Sequence, residues 1–409
     1  MPTPTRIRAA AAGLFFRYFW MFLVLGASAA QWSCIAWVLT VGSGISLTWP
    51  LHVVAIGALY LANRALTRPR TARRGGVYRL YTGSALIALF CSVFLLLTAS
   101  VFLVADAVLG VLSAQALTAS GQAMLGAGMD RAYHVIGSLG MAMIALAIGY
   151  GYAFGQRELR TTRIDLKMET LRGGRPLRIT QISDIHVGQN LSLAQLRRFV
   201  ARVNATAPDL ICITGDIADS PNADYATFFP VLGELRARFG VCAILGNHDH
   251  YAGADNVIAE LRRWTGFRIL RDEAVTLDLD GTPLHVIGLD DRGRDWARGV
   301  VSDTRLAELL AAAPADATVL LLSHRPDIFR QAAGVVPLTL SGHTHGGQLA
   351  IPWFGRRRRN LAEFITSFDR GLYNAEGSYL YVNCGLGVTG LRIRLFTPRE
   401  ISVFELAPA

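Results

Sequence analysis

The stretch Ser341-Gly342-His343-Thr344-His345-Gly346-Gly347 places two histidines on a glycine-rich turn near the C-terminus. It follows the apolar run Val335-Val336-Pro337-Leu338-Thr339-Leu340, which is typical of a buried strand that ends in a loop. Histidines at positions i and i+2 can converge on one point, because the glycines let the backbone fold tightly. Neutral imidazole is the commonest metal ligand, so the turn indicates either a metal site or two solvated loop histidines. A metal site requires further ligands from elsewhere in the chain.

Strand-like and helical segments alternate from residue 177 onward. Helical segments are predicted at residues 192–205, 224–239 and 303–312. Buried strands are predicted at residues 177–182, 210–214, 241–245, 318–322, 335–340, 379–383 and 401–406. Residues 274–280 and 283–289 are expected to pair as a hairpin with Asp280-Gly281 at its turn. This alternation predicts an α/β sandwich.

Polar side chains follow the predicted strands at the points where they end. They are Asp184, His186, Asp216, Asn247, His248, His324, His343 and His345. Open α/β sheets bind ligands at the carboxyl ends of their strands, so these residues are expected to gather at one edge. Their mixture of oxygen and imidazole ligands suits two divalent ions such as Mn²⁺, Fe²⁺ or Zn²⁺. A structural metal is the alternative, but it would need a closed tetrahedral set of ligands, which this large set fits poorly.

These strand-end fragments resemble the calcineurin-like metallophosphoesterase superfamily. The fragments are Asp184-Ile185-His186, Gly215-Asp216-Ile217-Ala218-Asp219, Gly246-Asn247-His248-Asp249, His324 and Gly342-His343-Thr344-His345. The resemblance implies a four-layer αββα sandwich over residues 177–409. Residues 342–348 and 381–387 are similar to the bacterial branch of membrane-associated phosphodiesterases and UDP-diacylglucosamine hydrolases. Asn383-Cys384-Gly385 departs from the Ser-Arg-Gly of that branch, so an arginine that could touch substrate is absent.

The resemblance also implies a role for each residue. One metal would be held by Asp184, His186 and His345. The other would be held by Asn247, His324 and His343, with Asp216 bridging the two. His248 and Asp249 are the candidate catalytic residues. His248 would stabilise the phosphoryl charge or protonate the leaving group. Asp249 and Asp219 would orient imidazoles or loops. Helix capping is an alternative role for both carboxylates.

Other polar residues are predicted to lie outside the metal site, or have two alternative roles. His250 is expected to be an exposed loop residue, and His285 a structural residue of its strand. Asp290-Asp291 is either a turn or a substrate contact.

The implied reaction is hydrolysis of a phosphodiester or pyrophosphate bond in a phosphate-ester substrate, and a lipid-linked substrate such as UDP-diacylglucosamine is expected. The alternatives are a phosphomonoesterase or protein phosphatase, and a membrane sensor whose phosphoesterase fold only binds nucleotide.

The positive charge of the chain is confined to its apolar N-terminal part. Of 40 Lys and Arg residues, 13 lie in residues 1–163 against three acidic residues, a net charge of +10. The remaining residues carry 27 charges of each sign, a net charge of zero. Basic residues beside apolar segments set orientation in a membrane, so nucleic-acid binding is not expected.

Residues 1–155 are predicted to form an all-α transmembrane region of about four helices. Its apolar segments lie at residues 14–40, 47–66, 80–109 and 135–154, each near or above the ~20 residues that span a bilayer. Six arginines between the second and third segments predict a cytoplasmic loop, and hence a multi-pass inner-membrane protein with a cytoplasmic catalytic domain. Cleavage after the signal-like Ala27-Ser28-Ala29 is an alternative that keeps this orientation. Residues 156–176 are expected to be a linker.

An aromatic and arginine-rich loop follows the histidine turn at residues 353–359. Trp353-Phe354-Gly355 is followed by four arginines. Apolar tips with adjacent basic residues anchor proteins to anionic lipid, so the loop is either a membrane-lipid contact or a solvated basic loop.

Overall fold

The computed structural model describes residues 4–67, 76–113, 117–171, 175–291, 304–352 and 358–409. Its backbone packing divides the chain into two compact units, Met1–Tyr150 and Gly151–Ala409. Most of the six-arginine loop and the aromatic tip at residues 353–357 lie outside the described residues.

The first unit consists of long helices. They are α1 (Pro4–Trp37), which continues into a π-helical turn (Val38–Gly42), α2 (Trp49–Thr67), α3 (Gly76–Ser113) and α4 (Ala119–Ala153). Within the described residues, three segments are long and apolar enough to cross a membrane: Met21–Gly42, Tyr81–Ser113 and Ala119–Arg157. The 19-residue α2 is not among them, and it carries His52, Asn63 and Arg64. The predicted all-α N-terminal region is therefore confirmed, with three apolar helices of spanning length among the described residues in place of about four.

The helices of the first unit are joined by short polar side chains. Ser33 Oγ lies 2.6 Å from Ser92 Oγ, and Asn63 Nδ2 donates to Gln31 Oε1 at 2.8 Å. Small polar residues let apolar helices approach closely and hydrogen-bond across their interface, which is the packing expected between helices in lipid.

The second unit contains two six-stranded sheets. The first sheet has the order β1-β14-β2-β3-β4-β5, with β1 at Leu159–Met168, β14 at Arg399–Pro408, β2 at Leu177–Ile182, β3 at Leu210–Thr214, β4 at Val241–Ile244 and β5 at Arg268–Ile269. The second sheet has the order β12-β13-β9-β8-β7-β6, with β12 at Gly371–Ala375, β13 at Ser378–Val382, β9 at Leu338–Ser341, β8 at Thr318–Leu322, β7 at Pro283–Gly288 and β6 at Glu273–Asp278.

Helices and short strands complete the second unit. The helices are α5 (Leu193–Asn204), α6 (Tyr225–Leu232), α7 (Asn247–Tyr251), α8 (Ala254–Trp264), α9 (Thr304–Ala311) and α10 (Phe329–Ala332). A small antiparallel pair, β10 (Ala350–Pro352) and β11 (Arg358–Asn360), follows the histidine turn and leads into a 3₁₀ segment, Leu361–Phe364.

Three apolar cores give the second unit four layers. One core packs α5, α6 and α8 on the first sheet, as Phe199 and Phe229 do against Ile211. The middle core lies between the two sheets, and the third packs α9 and α10 on the second sheet. Residues of β3 and β4 are buried on both faces, which explains their apolar runs at residues 210–213 and 241–244. The α/β metallophosphoesterase fold predicted from the sequence is confirmed.

Two of the predicted segments differ from the structure. The segment expected to be a linker contains β1, ten residues that pair in parallel with β14. Its burial alternates because it is an edge strand, and this weak pattern does not stand out in the sequence. Helix α6 ends at Leu232, with Gly233 as its C-cap, and not near residue 239. Gly233 packs so closely on the carbonyl oxygen of Trp264 that a Cβ there would collide with it.

Candidate metal centre

Five strands end at the same edge of the two sheets, and the loops that follow them carry the predicted ligands. Asp184 and His186 follow β2, Asp216 follows β3, and Asn247 opens α7 after β4. The second sheet contributes His324 after β8, and His343 and His345 after β9. Ligand atoms from these loops form overlapping groups whose members lie within 4.8 Å of one another.

The first group consists of Asp184, His186 and His345. The Nε2 atoms of His186 and His345 are 3.0 Å apart, and His345 Nε2 is 3.3 Å from Asp184 Oδ1. Side chains from both sheets therefore point their ring nitrogens and a carboxylate oxygen at one small volume. All three are at most 3% exposed, so a cation there would be shielded from water.

The second group consists of Asp216, His324 and His343. His324 Nε2 lies 3.3 Å from Asp216 Oδ2 and 3.2 Å from His343 Nδ1. Asp216 Oδ2 is also 3.6 Å from His186 Nε2 of the first group. Asp216 thus lies between the two groups, where one carboxylate can serve two ions.

Backbone strain is concentrated at the ligands. Five of them adopt a left-handed backbone with positive φ: Asp184 at 49°, His186 at 49°, Asp216 at 51°, His343 at 70° and His345 at 52°. Each such conformation costs a non-glycine residue roughly 1–3 kcal/mol and persists only where the surroundings impose it. Strain of this kind collects at functional sites, because it aims side chains at a common target.

Two loops pass so close to ligand carboxylates that only glycine fits at the point of contact. A Cβ on Gly246 would collide with the carboxylate of Asp216, and one on Gly342 would collide with that of Asp184. The glycines in Gly246-Asn247-His248 and Gly342-His343 therefore let each loop pass directly over a ligand.

Hydrogen bonds on the outer side of the rings orient two of the histidines. His324 Nδ1 lies 2.8 Å from the carbonyl oxygen of Thr214, and His186 Nδ1 lies 3.2 Å from Asp219 Oδ1. An Nδ1–H that donates to these acceptors leaves the Nε2 lone pair facing the cluster.

The electrostatics of the cluster favour the metal-binding protonation states of Asp216, His343 and His345, but not that of His324. Burial lowers the pKa of His343 and His345 well below the ordinary value, so both rings are neutral at pH 7. Burial alone would raise the pKa of Asp216, but the neighbouring His324 and His186 hold it well below its usual range. Burial would likewise lower the pKa of His324, yet Asp216 raises it to about 10. A cation would compete for that proton, so binding would release it.

Asn247 supplies an independent indication that the site fits a metal. Its side chain is 3% exposed, and its Oδ1 accepts no hydrogen bond from any described residue. A buried amide oxygen without a partner costs about 1–3 kcal/mol, unless a cation satisfies it. The converging imidazoles, carboxylates and this oxygen together match the ligand chemistry of Mn²⁺, Fe²⁺ or Zn²⁺.

His248 lies beside the ligand cluster and lines an open cleft of about 290 Å³. Its Nδ1 is 3.5 Å from Asp219 Oδ1, and its Nε2 is 3.4 Å from Thr389 Oγ1. Burial lowers the pKa of His248, but Asp219 and Asp216 raise it above the ordinary value overall. His248 can therefore donate a proton or a hydrogen bond to a group bound in the cleft.

Asp249 is buried and does not line the cleft. Its oxygens accept from the backbone N–H groups of Gly246 at 2.9 Å, Ile217 at 3.2 Å and Ala218 at 2.7 Å. It therefore joins the loop that carries Asp216 to the loop that carries Asn247. These contacts support a positioning role for Asp249.

The polar residues outside the predicted ligand set, Asp290, Asp291, His250 and His285, make structural contacts. Asp290 binds His250 at 2.6 Å and Arg271 at 2.7 Å, and Asp291 pairs with Arg325 at 2.7 Å. His250 is thus a partly buried ion-pair residue and not a free loop histidine. His285 bonds to Thr276 across the β6–β7 hairpin.

Arg394 is a functional-site residue that the sequence did not reveal. It is fully buried, and its guanidinium donates to the carbonyl oxygens of Cys384 at 2.8 Å and Gly387 at 2.7 Å. The N–H of Gly387 in turn donates to the carbonyl oxygen of Asp184 at 2.6 Å. Arg394 therefore holds the loop of residues 384–387 next to Asp184. Nothing in the local sequence Leu391-Arg392-Ile393-Arg394 distinguishes it from a surface arginine.

Comparison with known proteins identifies the family. Residues 177–347 match the model of the calcineurin-like phosphoesterase family. The chain is 34% identical over 286 residues to the uncharacterized metallophosphoesterase YkuE of Bacillus subtilis, covering 66% of this chain and 94% of that protein. It is 33% identical over 252 residues to an uncharacterized metallophosphoesterase of Aquifex aeolicus, covering 61% and 92%.

A relative with membrane segments is also similar. The transmembrane protein with metallophosphoesterase domain of Danio rerio is 28% identical over 279 residues, covering 66% of this chain and 62% of that protein. Together with the three apolar helices near the N-terminus, this similarity indicates membrane association.

Proposed function

The chain belongs to the calcineurin-like metallophosphoesterases and is a metal-dependent phosphoester hydrolase, and from this premise we propose that it uses two divalent ions to hydrolyse a phosphodiester or pyrophosphate bond. The observation that carries the proposal is the pair of ligand groups around Asp216, together with the unpartnered Oδ1 of Asn247. Asp184, His186 and His345 would hold one ion. Asn247, His324 and His343 would hold the other, with Asp216 shared.

Bound divalent ions lower the pKa of water towards ~7 and neutralise phosphoryl charge. Residues of the chain would donate protons and position the ligands. His248, at the edge of the cleft, would donate to a phosphoryl or leaving-group oxygen, and Asp219 would orient it. Asp249 would hold the two ligand loops in register, as its three backbone hydrogen bonds support.

A lipid-linked substrate, of the kind hydrolysed by UDP-diacylglucosamine hydrolases, is our specific proposal for the substrate. It is supported by the apolar N-terminal helices on the same chain and by the likeness of residues 342–348 to that branch. The loop at residues 353–359 would contact membrane lipids. Exchange of Trp353 and Phe354 for serine should then lower turnover of a lipid substrate and leave a soluble nitrophenyl diester unaffected.

We further propose that residues 1–155 anchor the chain in the inner membrane by several spans, with the catalytic unit in the cytoplasm. The six arginines between the second and third apolar segments support this orientation. A fluorescent protein that folds only in the cytoplasm should therefore fluoresce when fused after residue 409. A dark fusion, with an active periplasmic reporter at the same position, would reverse the orientation.

The test of the reaction is a substrate comparison with purified full-length protein and Mn²⁺. Bis-nitrophenyl phosphate and a UDP-lipid should be hydrolysed, and nitrophenyl phosphate much more slowly. Asn247→Ala should abolish turnover. Activity on the monoester alone would refute the diesterase proposal.

A further inference from the structure

The cleft beside the ligand cluster has an apolar side. Asp216 and His343 line it together with Leu361, Ala362 and Ile365. Leu361 is 51% exposed and Ile365 is 46% exposed, so both present hydrocarbon to water next to the catalytic groups. Covering such surface with an apolar ligand group is favourable by about 25 cal/mol per Å².

The segment that carries these side chains is fixed to the histidine turn. Asn360 caps the 3₁₀ segment by accepting from the N–H of Ala362 at 2.9 Å, and its Nδ2 donates to Asp369. Thr344, between the two ligand histidines, donates to the carbonyl oxygen of Asp369 at 2.6 Å. Gly347 packs so closely on Asn360 that a Cβ there would lie 2.6 Å from Asn360 Oδ1. The apolar surface is therefore held in place before a ligand binds, which lowers the entropy cost of binding.

The remaining lining of the cleft favours an apolar group over a second anionic one. Tyr251 is 46% exposed and lines the same cleft, with its ring 5.5 Å from that of His248. The cleft also contains the carboxylate of Asp327, and among its described lining residues there is no lysine or arginine. The described walls beside Leu361 and Ile365 therefore suit an apolar ester group.

We propose that Leu361 and Ile365 form a subsite for the hydrophobic ester group of the substrate. The substrate class is a phosphodiester that carries an alkyl or acyl chain near the phosphorus. This proposal rests on the proposed diesterase function and adds the residues that select the ester group.

Nitrophenyl alkyl phosphates with methyl, butyl and hexyl chains, used below their micelle-forming concentrations, test the subsite without any bilayer. For wild-type full-length protein with Mn²⁺, kcat/KM should rise up to about fourfold for each methylene that becomes buried. Leu361→Ser and Ile365→Ser should each flatten this dependence, so that the hexyl-to-methyl ratio falls about tenfold. Isothermal titration with hexylphosphonate and methylphosphonate should show the same loss of preference without turnover.

Matched controls come from exposed apolar residues that do not line the cleft. Phe364, 88% exposed on the same segment, and Leu372, 45% exposed on β12, should keep the wild-type dependence when changed to serine. A wild-type rate independent of chain length, or equal flattening by Phe364→Ser, would overturn the subsite while leaving the diesterase function intact. Failure of the wild type to hydrolyse any diester would refute the function, and the subsite with it.

Discussion

Asp219 links the two kinds of histidine in the site. Its Oδ1 lies 3.2 Å from Nδ1 of the ligand His186 and 3.5 Å from Nδ1 of the candidate catalytic His248. Burial would raise the pKa of Asp219, but these rings hold it well below its usual range, so the side chain is ionised at every working pH. One carboxylate therefore sets the orientation of both imidazoles.

Asp219→Asn should weaken the site without unfolding the protein, because the side chain is 24% exposed and an amide keeps its shape. An amide is a weaker acceptor, and loss of such a partner typically costs 10- to 100-fold in metal affinity or activity. Metal titration and kcat/KM on bis-nitrophenyl phosphate measure both effects. Unchanged values for both would show that Asp219 does not orient the rings.

The His250–Asp290 ion pair makes a pH-dependent contribution to stability. The hydrogen bond to Asp290 raises the pKa of His250 above its value in the unfolded chain, 6.5. The folded protein therefore holds this proton more tightly, and the stabilisation is complete below about pH 6.5 and disappears as pH rises through the raised pKa. His250→Gln should cost about 1–2 kcal/mol at pH 5.5 and much less at pH 9.

Thermal unfolding of wild type and His250→Gln in the same buffer series measures this difference. Arg271 continues to pair with Asp290 in the variant, which keeps the carboxylate satisfied. A stability difference that is constant, or that grows with pH, would contradict a stabilising ion pair between His250 and Asp290.

At the scale of residues, the sequence indicated the side chains that aim into the cluster and two that support it, Asp219 and Asp249, but not the others that shape the site. Asp184, His186, Asp216, His324 and His343 each follow an apolar run, so their location could be predicted. Arg394, Thr389 and Leu361 act through loops whose path depends on tertiary packing. No local pattern marks such positions.

At the scale of elements, the turn that leads into α7 is held by one buried carboxylate. Burial raises the pKa of Asp249 to about 6, and its three backbone hydrogen bonds favour the ionised form. Asp249→Asn would turn an NH₂ group towards backbone donors, which should cost about 2–4 kcal/mol of unfolding free energy.

Asp224→Asn is the matched control, because Asp224 also accepts a backbone N–H, from Thr227 at 3.2 Å, but at the exposed start of α6. Asn and Asp cap helices about equally well, so this variant should lose less than ~0.5 kcal/mol. Denaturant unfolding in the presence of a chelator compares the two. Equal losses would show that Asp249 is not a special connector of the loops.

Strand β1 extends the first sheet before residue 177. It pairs along its whole length with β14, whose other edge pairs with β2. A chain that starts at residue 151 should therefore be soluble and monomeric. A chain that starts at residue 177 should aggregate, because β14 becomes an unpaired edge strand. Size-exclusion chromatography distinguishes them, and a monomeric shorter chain would show that β1 is dispensable.

The elements themselves were largely predictable from apolar runs and turn residues. The hairpin between β6 and β7 has positive φ at both Asp280 and Gly281, as an Asp-Gly turn requires. β1 was missed because its strand partner lies more than two hundred residues away in sequence. Long-range pairing of this kind leaves little local signal.

At the scale of the whole molecule, the chain joins an apolar helical unit to a hydrolase unit whose residues from 164 onward carry no net charge. The catalytic groups come from both sheets, so the cluster forms only when the two sheets pack face to face. Three apolar cores hold the two sheets and their helices together. Removal of metal should therefore leave the sandwich folded.

The central claim is that the cluster binds two divalent ions that are needed for hydrolysis. The most direct measurement is the metal content per chain of full-length protein purified with Mn²⁺, by elemental analysis, with diesterase activity measured on the same sample. We predict two ions per chain for wild type, about one for Asn247→Ala, and loss of hydrolysis in the variant. An active wild type without bound metal, or a fully active Asn247→Ala with unchanged metal content, would contradict the account.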